Sequence, residues 1–109
     1  MAARRDVAVV VGSLRRGSFA RMTANAIASV SPDSLVFSQV AIGDLPLYDQ
    51  DLEANVPGPW VAFRERIRRS DGVLFVTPEY NRSVPGVLKN AIDVGSRPYG
   101  KSAWSHKPA

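Results

Sequence analysis

Two periods of apolar residues alternate along the chain. Val7-Ala-Val-Val-Val11 is a continuous run without alternation, the pattern of a strand covered on both faces in a parallel sheet. Gly12 and Ser13 break it. From Ser18 the period lengthens: Phe19, Met22, Ala26, Ile27 and Val30 recur at helical spacing, and Ser18 is placed to cap that helix. Ser31-Pro32-Asp33 predicts its end, since proline lacks an N–H and biases the preceding residue towards extended geometry. Leu35–Val40 predicts a second strand, less purely apolar and so nearer an edge. Gly43–Gly58 is a long connection rich in acidic residues, proline and glycine, a length that inside a compact domain is functional or mobile.

Pro59 suits the first turn of a second helix, with Trp60, Phe63 and Ile67 on one face as core. Ser70-Asp71-Gly72 turns into a third strand, Val73-Leu-Phe-Val-Thr77. A last helix is predicted from about Pro85 to Val94, with Ser83 as its cap and Gly95 as its end; Arg97–Ala109 reads as loop. The order βαβ(loop)αβα predicts a parallel α/β domain with right-handed crossovers. Residues 1–109 are expected to form one domain.

Composition narrows the class. Hydrophobic residues at 45% and charged residues at 22% are ordinary for a soluble globule. The absence of cysteine excludes disulfides, thiolate metal sites and cysteine nucleophiles, and leaves cytoplasm as the expected compartment. Arg4 and Arg5 precede an apolar run, as in a secretory leader. That run is too short for a leader core and Asp6 interrupts it, so a strand is expected. No stretch approaches the ~20 apolar residues that span a bilayer, and no membrane partner is expected.

The net charge is +4, with arginine dominating. Arg64, Arg66, Arg68 and Arg69 are densest, but on a helix they spread around the axis and read as a solvated surface. Without interleaved aromatics or a recognisable module, no nucleic-acid partner is expected. Asp49, Asp51 and Glu53 alternate as in a calcium loop but lack its glycine and closing glutamate; they read as a solvated acidic loop, and no metal is expected. His106, the single histidine, has no plausible partner for catalysis, and Lys89 and Asp93 are spaced to pair across one helical turn.

Two loops carry candidate chemistry, each leaving a strand and opening a helix at the same end of the sheet. Gly12-Ser-Leu-Arg-Arg-Gly-Ser18 matches neither common nucleotide template. Ser18 stands where a nucleoside-triphosphate loop needs lysine, and Leu14 where the dinucleotide fingerprint needs glycine. A phosphate monoester suits what remains. Helix N-terminal amides favour an anion, Ser13 and Ser18 offer hydroxyls, and Arg15 can grip two phosphate oxygens at once. A capped turn whose serines only tidy the helix start reads the same residues equally well.

In the second loop, Pro78, Glu79, Tyr80 and Asn81 leave the third strand, and Ser83, Val84, Pro85 and Gly86 open the last helix. Two prolines and a glycine stiffen a backbone whose amides could face a planar ligand, with Tyr80 as a wall and Asn81 as an amide. Open parallel sheets bind ligands beyond the strand C-termini at a topological switch point, FMN being the example for the flavodoxin-like order.

Gly12–Ser18, Leu45-Pro-Leu-Tyr-Asp-Gln-Asp-Leu52 and Pro78–Asp93 resemble the NADPH-dependent FMN reductases, the flavodoxin-like quinone, chromate and azo-dye reductases, across essentially the whole chain. The resemblance implies a flavodoxin-like α/β/α fold with a parallel sheet. Ser13, Arg15 and Ser18 then correspond to the phosphate clamp, and Pro78, Glu79, Tyr80, Asn81 and Ser83 to the loop along the ribityl chain and isoalloxazine. It also implies FMN and NADPH (or NADH) as cofactors, with hydride passing through FMN to flavin, quinone or a similar small-molecule acceptor. No side chain is then expected to act as a general acid or base.

Two departures stand out. Ala20 occupies a place where the family often has asparagine. The family also continues past Lys107-Pro-Ala109 into a fourth strand, a Gly-rich flavin loop, a fifth strand and a helix. With two of three flavin loops, these residues alone are expected to bind FMN weakly and oxidise little NADPH. Strand three becomes an open apolar edge, so a homo-oligomer is expected. The alternatives are a flavodoxin-type electron carrier, which the basic charge disfavours, and a truncated inactive family member.

Overall fold

A computed structural model of the chain describes residues 3–109; residues 1 and 2 of the segment weighed as a leader lie outside the described residues. Three parallel strands form one sheet in the order β2-β1-β3: β1 (Arg5–Val11), β2 (Leu35–Gln39) and β3 (Gly72–Val76). Val7 of β1 pairs with Phe37 on one side and with Gly72 on the other. Three helices complete the unit: α1 (Phe19–Val30), α2 (Gly58–Arg69) and α3 (Gly86–Gly95). This order is the beginning of the flavodoxin-like arrangement, with its switch point between β1 and β3. No helix among the described residues is long and apolar enough to cross a membrane.

The unbroken run in β1 follows from cover on both faces. Ala8 and Val10 point to one side, into a core with Trp60, Phe63, Ile67, Leu88, Ala91 and Val94 from α2 and α3. Val9 and Val11 point to the other, where they meet Ala24 of α1. Of the predicted apolar positions of α1, Ile27 is half-buried and the other four need correction. Phe19 is 77% exposed, Val30 84%, and Met22 and Ala26 are also open. The helix lies on the sheet through Ala20 and Ala24, whose small side chains let the backbones approach.

The other corrections concern ends and loops. Ser83 does not cap α3. Pro85 is the N-cap, with no side-chain bond, so Ser83 stands two residues too early, its backbone paired with Tyr80. Gly95 is the last helical residue, and a Cβ there would lie 2.6 Å from the Trp104 ring. Trp104 makes the Arg97–Ala109 segment a structural plug. Its ring meets Phe63 at 5.8 Å and Phe75 at 5.5 Å, and Nε1 donates to Ile92 O at 3.0 Å. Val73 N donates to Pro108 O at 2.9 Å, which sets the chain's last residues beside the outer edge of β3.

Of the α2 arginines, Arg64 and Arg66 are not freely solvated, while Arg68 and Arg69 are exposed as expected. Arg64 is 4% exposed, pairs with Glu53 at 2.6 Å and donates from Nε to Val94 O at 2.8 Å. Arg66 grips both oxygens of Asp6 at 3.0 Å, and Arg68 reaches Lys101 O. The acidic connection is likewise built rather than merely solvated. Asp49 caps a short 3-10 helix, Gln50–Ala54, by accepting from Asp51 N at 2.9 Å, and Glu53 holds Arg64.

Candidate functional site

The two loops meet at the C-terminal ends of β1 and β3. Gly12 N donates to Val76 O at 2.8 Å, and a Cβ on Gly12 would overlap the Thr77 side chain. Glycine is therefore required where the first loop crosses the start of the second. Gly17 adopts φ +67°, in the left-handed region that glycine enters without steric cost, and turns the chain into α1.

Ser18 caps α1 as the spacing predicts, its Oγ accepting from Arg21 N at 3.2 Å. Ser13 is buried and its Oγ accepts from Arg15 N at 3.4 Å. Both hydroxyls are used as acceptors, which leaves their O–H groups to donate. The Arg15 guanidinium is exposed and has no hydrogen-bond or ion-pair partner among the described residues. The first turn of α1 contains no acidic residue to compete for an anion. A hollow of about 310 Å3, lined by Val11, Ser13, Leu14, Arg21, Gln39 and Gly43 among others, opens beside this loop.

The second loop is a tight reverse turn. Tyr80 N donates to Ser83 O at 2.8 Å and Ser83 N to Tyr80 O at 3.0 Å. The two residues between them, Asn81 and Arg82, have φ of 52° and 61°. Two consecutive positive φ values are what a two-residue hairpin turn of the I′ kind needs, and asparagine tolerates them best after glycine. Pro78 is half-buried, while Glu79, Tyr80, Asn81 and Ser83 are exposed. All five residues thus lie together on one turn beside the first loop's entry, with Ser83 closing the turn instead of capping the helix.

A third segment, not among the predicted site residues, sits at the same end. Asn90 of α3 accepts from Tyr48 N at 2.8 Å and donates to Leu45 O at 3.3 Å and Pro46 O at 3.2 Å. Trp60 Nε1 also donates to Pro46 O at 2.8 Å, and the Trp60 ring stacks on Tyr48 at 5.4 Å. The asparagine following Pro-Gly-x-Leu-Lys was visible in sequence, but nothing local showed that its partner lay more than forty residues away.

The groups around the first loop fit a phosphate monoester. They are two O–H donors, the open amides at the start of α1 and the unengaged guanidinium of Arg15, with Asp44 lining the hollow beside them. The lysine that nucleoside triphosphates require is missing. No group of acidic or histidine side chains among the described residues is arranged to hold a metal. His106 has no hydrogen-bond partner among them and stands in a groove of about 790 Å3 between α2 and the Pro98–Lys107 segment, away from both loops.

Fold and loops together define an open flavodoxin-like α/β unit that presents two ligand loops at its switch point. The model of the NADPH-dependent FMN reductase family matches residues 5–109, and the chain belongs to that family. It is 67% identical over 104 residues to a quinone reductase of Pseudomonas putida, covering 94% of this chain and 56% of that protein. It is 56% identical over 102 residues to a 2-hydroxy-1,4-benzoquinone reductase of a Burkholderia species, again 94% and 56%. In structure it resembles FerB, a flavoenzyme NAD(P)H:(acceptor) oxidoreductase from Paracoccus denitrificans, with a TM-score of 0.91 and 47% identity over 96% of this chain and 58% of FerB. The chain therefore spans a little over half the length of these relatives.

Proposed function

We propose that this chain is the FMN-binding part of an NAD(P)H-dependent quinone or FMN reductase, acting on a small-molecule acceptor. The observation that carries the reading is the join at Gly12 and Thr77. It supports the reading because the start of a phosphate-type loop meets the residue that leads into a turn able to border a planar ring. The names of the relatives, quinone reductases among them, support the reaction class.

In this reading Ser13, Arg15, Ser18 and the first amides of α1 hold the FMN phosphate. Pro78, Glu79, Tyr80, Asn81 and Ser83 line the ribityl chain and ring. Bound FMN supplies the hydride chemistry, accepting from NAD(P)H and passing reducing equivalents to the acceptor. The chain's own residues bind, orient and shield; none has to move a proton.

A homo-oligomer in the cytoplasm completes the proposal. Its support is the exposed apolar stripe of α1, where Phe19, Met22 and Val30 face solvent. Light scattering at micromolar concentration should give a mass above one chain; a sharp monomer would refute association.

The binding claim is tested by titrating FMN and riboflavin against the chain and its Arg15→Ala variant by fluorescence quenching. A charge-assisted hydrogen bond is worth roughly 1.5–3 kcal/mol, so FMN affinity should fall about tenfold to a hundredfold with riboflavin little changed. Equal losses for both flavins would remove Arg15 from the clamp.

A further inference from the structure

Arg82 holds a positive φ that its side chain does not favour, beside Asn81, which tolerates one, and such a turn persists only where its surroundings over-determine it. Its surroundings are the join at Gly12 on one side and the seat of α3 on the other. The apolar half of that seat is clear: Pro85, Leu88 and Ala91 are buried against the sheet. The polar half is Asn90. Its amide makes three hydrogen bonds, to Leu45 O, Pro46 O and Tyr48 N, and so ties α3 to the connection between β2 and α2. That connection is fixed in turn, through Trp60 Nε1 on Pro46 O and the Tyr48–Trp60 stack. At its near end, Gly43 lies close enough to the Leu14 side chain for an added Cβ to reach 3.0 Å. A continuous run from Gly43 to Tyr48 therefore bridges the first ligand loop and the helix opened by the second.

We infer that Asn90 is a positioning residue for the second ligand loop. It sets α3 relative to the β2–α2 connection, so that the Tyr80–Ser83 turn keeps its place against Gly12–Ser18. The inference rests on the proposed flavin site. It assigns to Asn90 no contact with the ligand. Its effect should fall on the ring-facing loop and leave the phosphate clamp alone, the opposite of what Arg15→Ala does.

The test compares the wild-type chain with Asn90→Ala and Asn90→Asp. The aspartate keeps an acceptor for Tyr48 N but loses both donors, and it can be measured if the alanine variant folds poorly. In Asn90→Ala, amide hydrogen exchange should lose its protection at Tyr48. FMN and riboflavin should weaken by the same factor, between about threefold and tenfold, the scale of one or two net hydrogen bonds. The ratio of the two affinities should stay at its wild-type value. In Asn90→Asp, Tyr48 should stay protected and both affinities should fall by a smaller common factor.

A lowered melting temperature with both affinities unchanged would make Asn90 a purely structural clamp and overturn the inference. So would a change in the FMN-to-riboflavin ratio, because the effect would then lie at the phosphate. A wild-type chain that binds neither flavin would fail the proposed site itself and take this inference with it. That outcome is distinguished from the others before any variant is measured.

Discussion

The two faces of the sheet are built to different standards. On one, α2 and α3 bury Trp60, Ile67, Leu88 and Val94 completely or nearly so, and Trp104 closes the layer from the last segment. Polar groups there are matched as well: Trp60 Nε1 and Arg64 Nε both find backbone carbonyls. On the other, α1 rests on Val9 and Val11 through alanines, and Phe19, Met22 and Val30 face solvent. A helix normally turns its apolar stripe towards the core. Here Phe19, Met22, Ala26 and Val30 form a second stripe pointing away from it. The difference teaches that α2 and α3 carry most of the stability of this unit, whereas α1 carries a ligand loop on one end and an open surface along its side.

The largest expected effect on this contrast is Trp60→Ala. Removing a fully buried aromatic ring, with its bond to Pro46 O and its stack on Tyr48, should cost about 3–5 kcal/mol and leave the chain largely unfolded in a urea titration. A midpoint within error of wild type would break the comparison. Arg64→Ala comes next. It strands Glu53, which is only 23% exposed, so roughly 3 kcal/mol should be lost; Arg64→Ala with Glu53→Gln should recover part of it. Failure of the double variant to recover anything would assign the loss to packing on Trp60, whose ring centre lies 5.3 Å from the guanidinium.

On the thinner face, Ala24→Leu should be overpacked against Val9 and Val11, at a cost of about 1–3 kcal/mol. If it proves neutral, α1 is free to lift from the sheet. Phe19→Gln with Val30→Gln should change stability by no more than about 0.5 kcal/mol and should reduce the mass seen by light scattering. The smallest effect belongs to Lys89→Ala. Its pair with Asp93 at 2.7 Å is exposed and in the weaker orientation, so no more than about 0.3–0.5 kcal/mol should be lost.

Chain order and local signals were legible from the residues. The doubly covered strand, the Ser18 cap, the proline stop after Val30 and the Lys89–Asp93 pair all follow from interactions within a few positions, and the structure contains each of them. The family was legible for the same reason, because its motifs are contiguous. Ser83 has the residue type of a cap, but the turn through Asn81 and Arg82, both in the left-handed region, leaves it two residues before the N-cap at Pro85. The partners of Arg64, Arg66 and Arg68 are not legible locally, because Glu53, Asp6, Val94 and Lys101 come from four other places in the chain; Arg69 is exposed as expected.

The sequence by itself determined the alternation of strands and helices, the two glycine-marked loops and the kinship, since each depends on neighbours along the backbone. Only the tertiary structure decided which stripe of α1 meets the sheet, that Gly12 and Gly95 are spaces reserved for Thr77 and Trp104, and that Asn90 reaches back to Leu45, Pro46 and Tyr48. Those choices turn on how closely two backbones approach and on which distant group satisfies a buried donor. A local pattern contains no information about either.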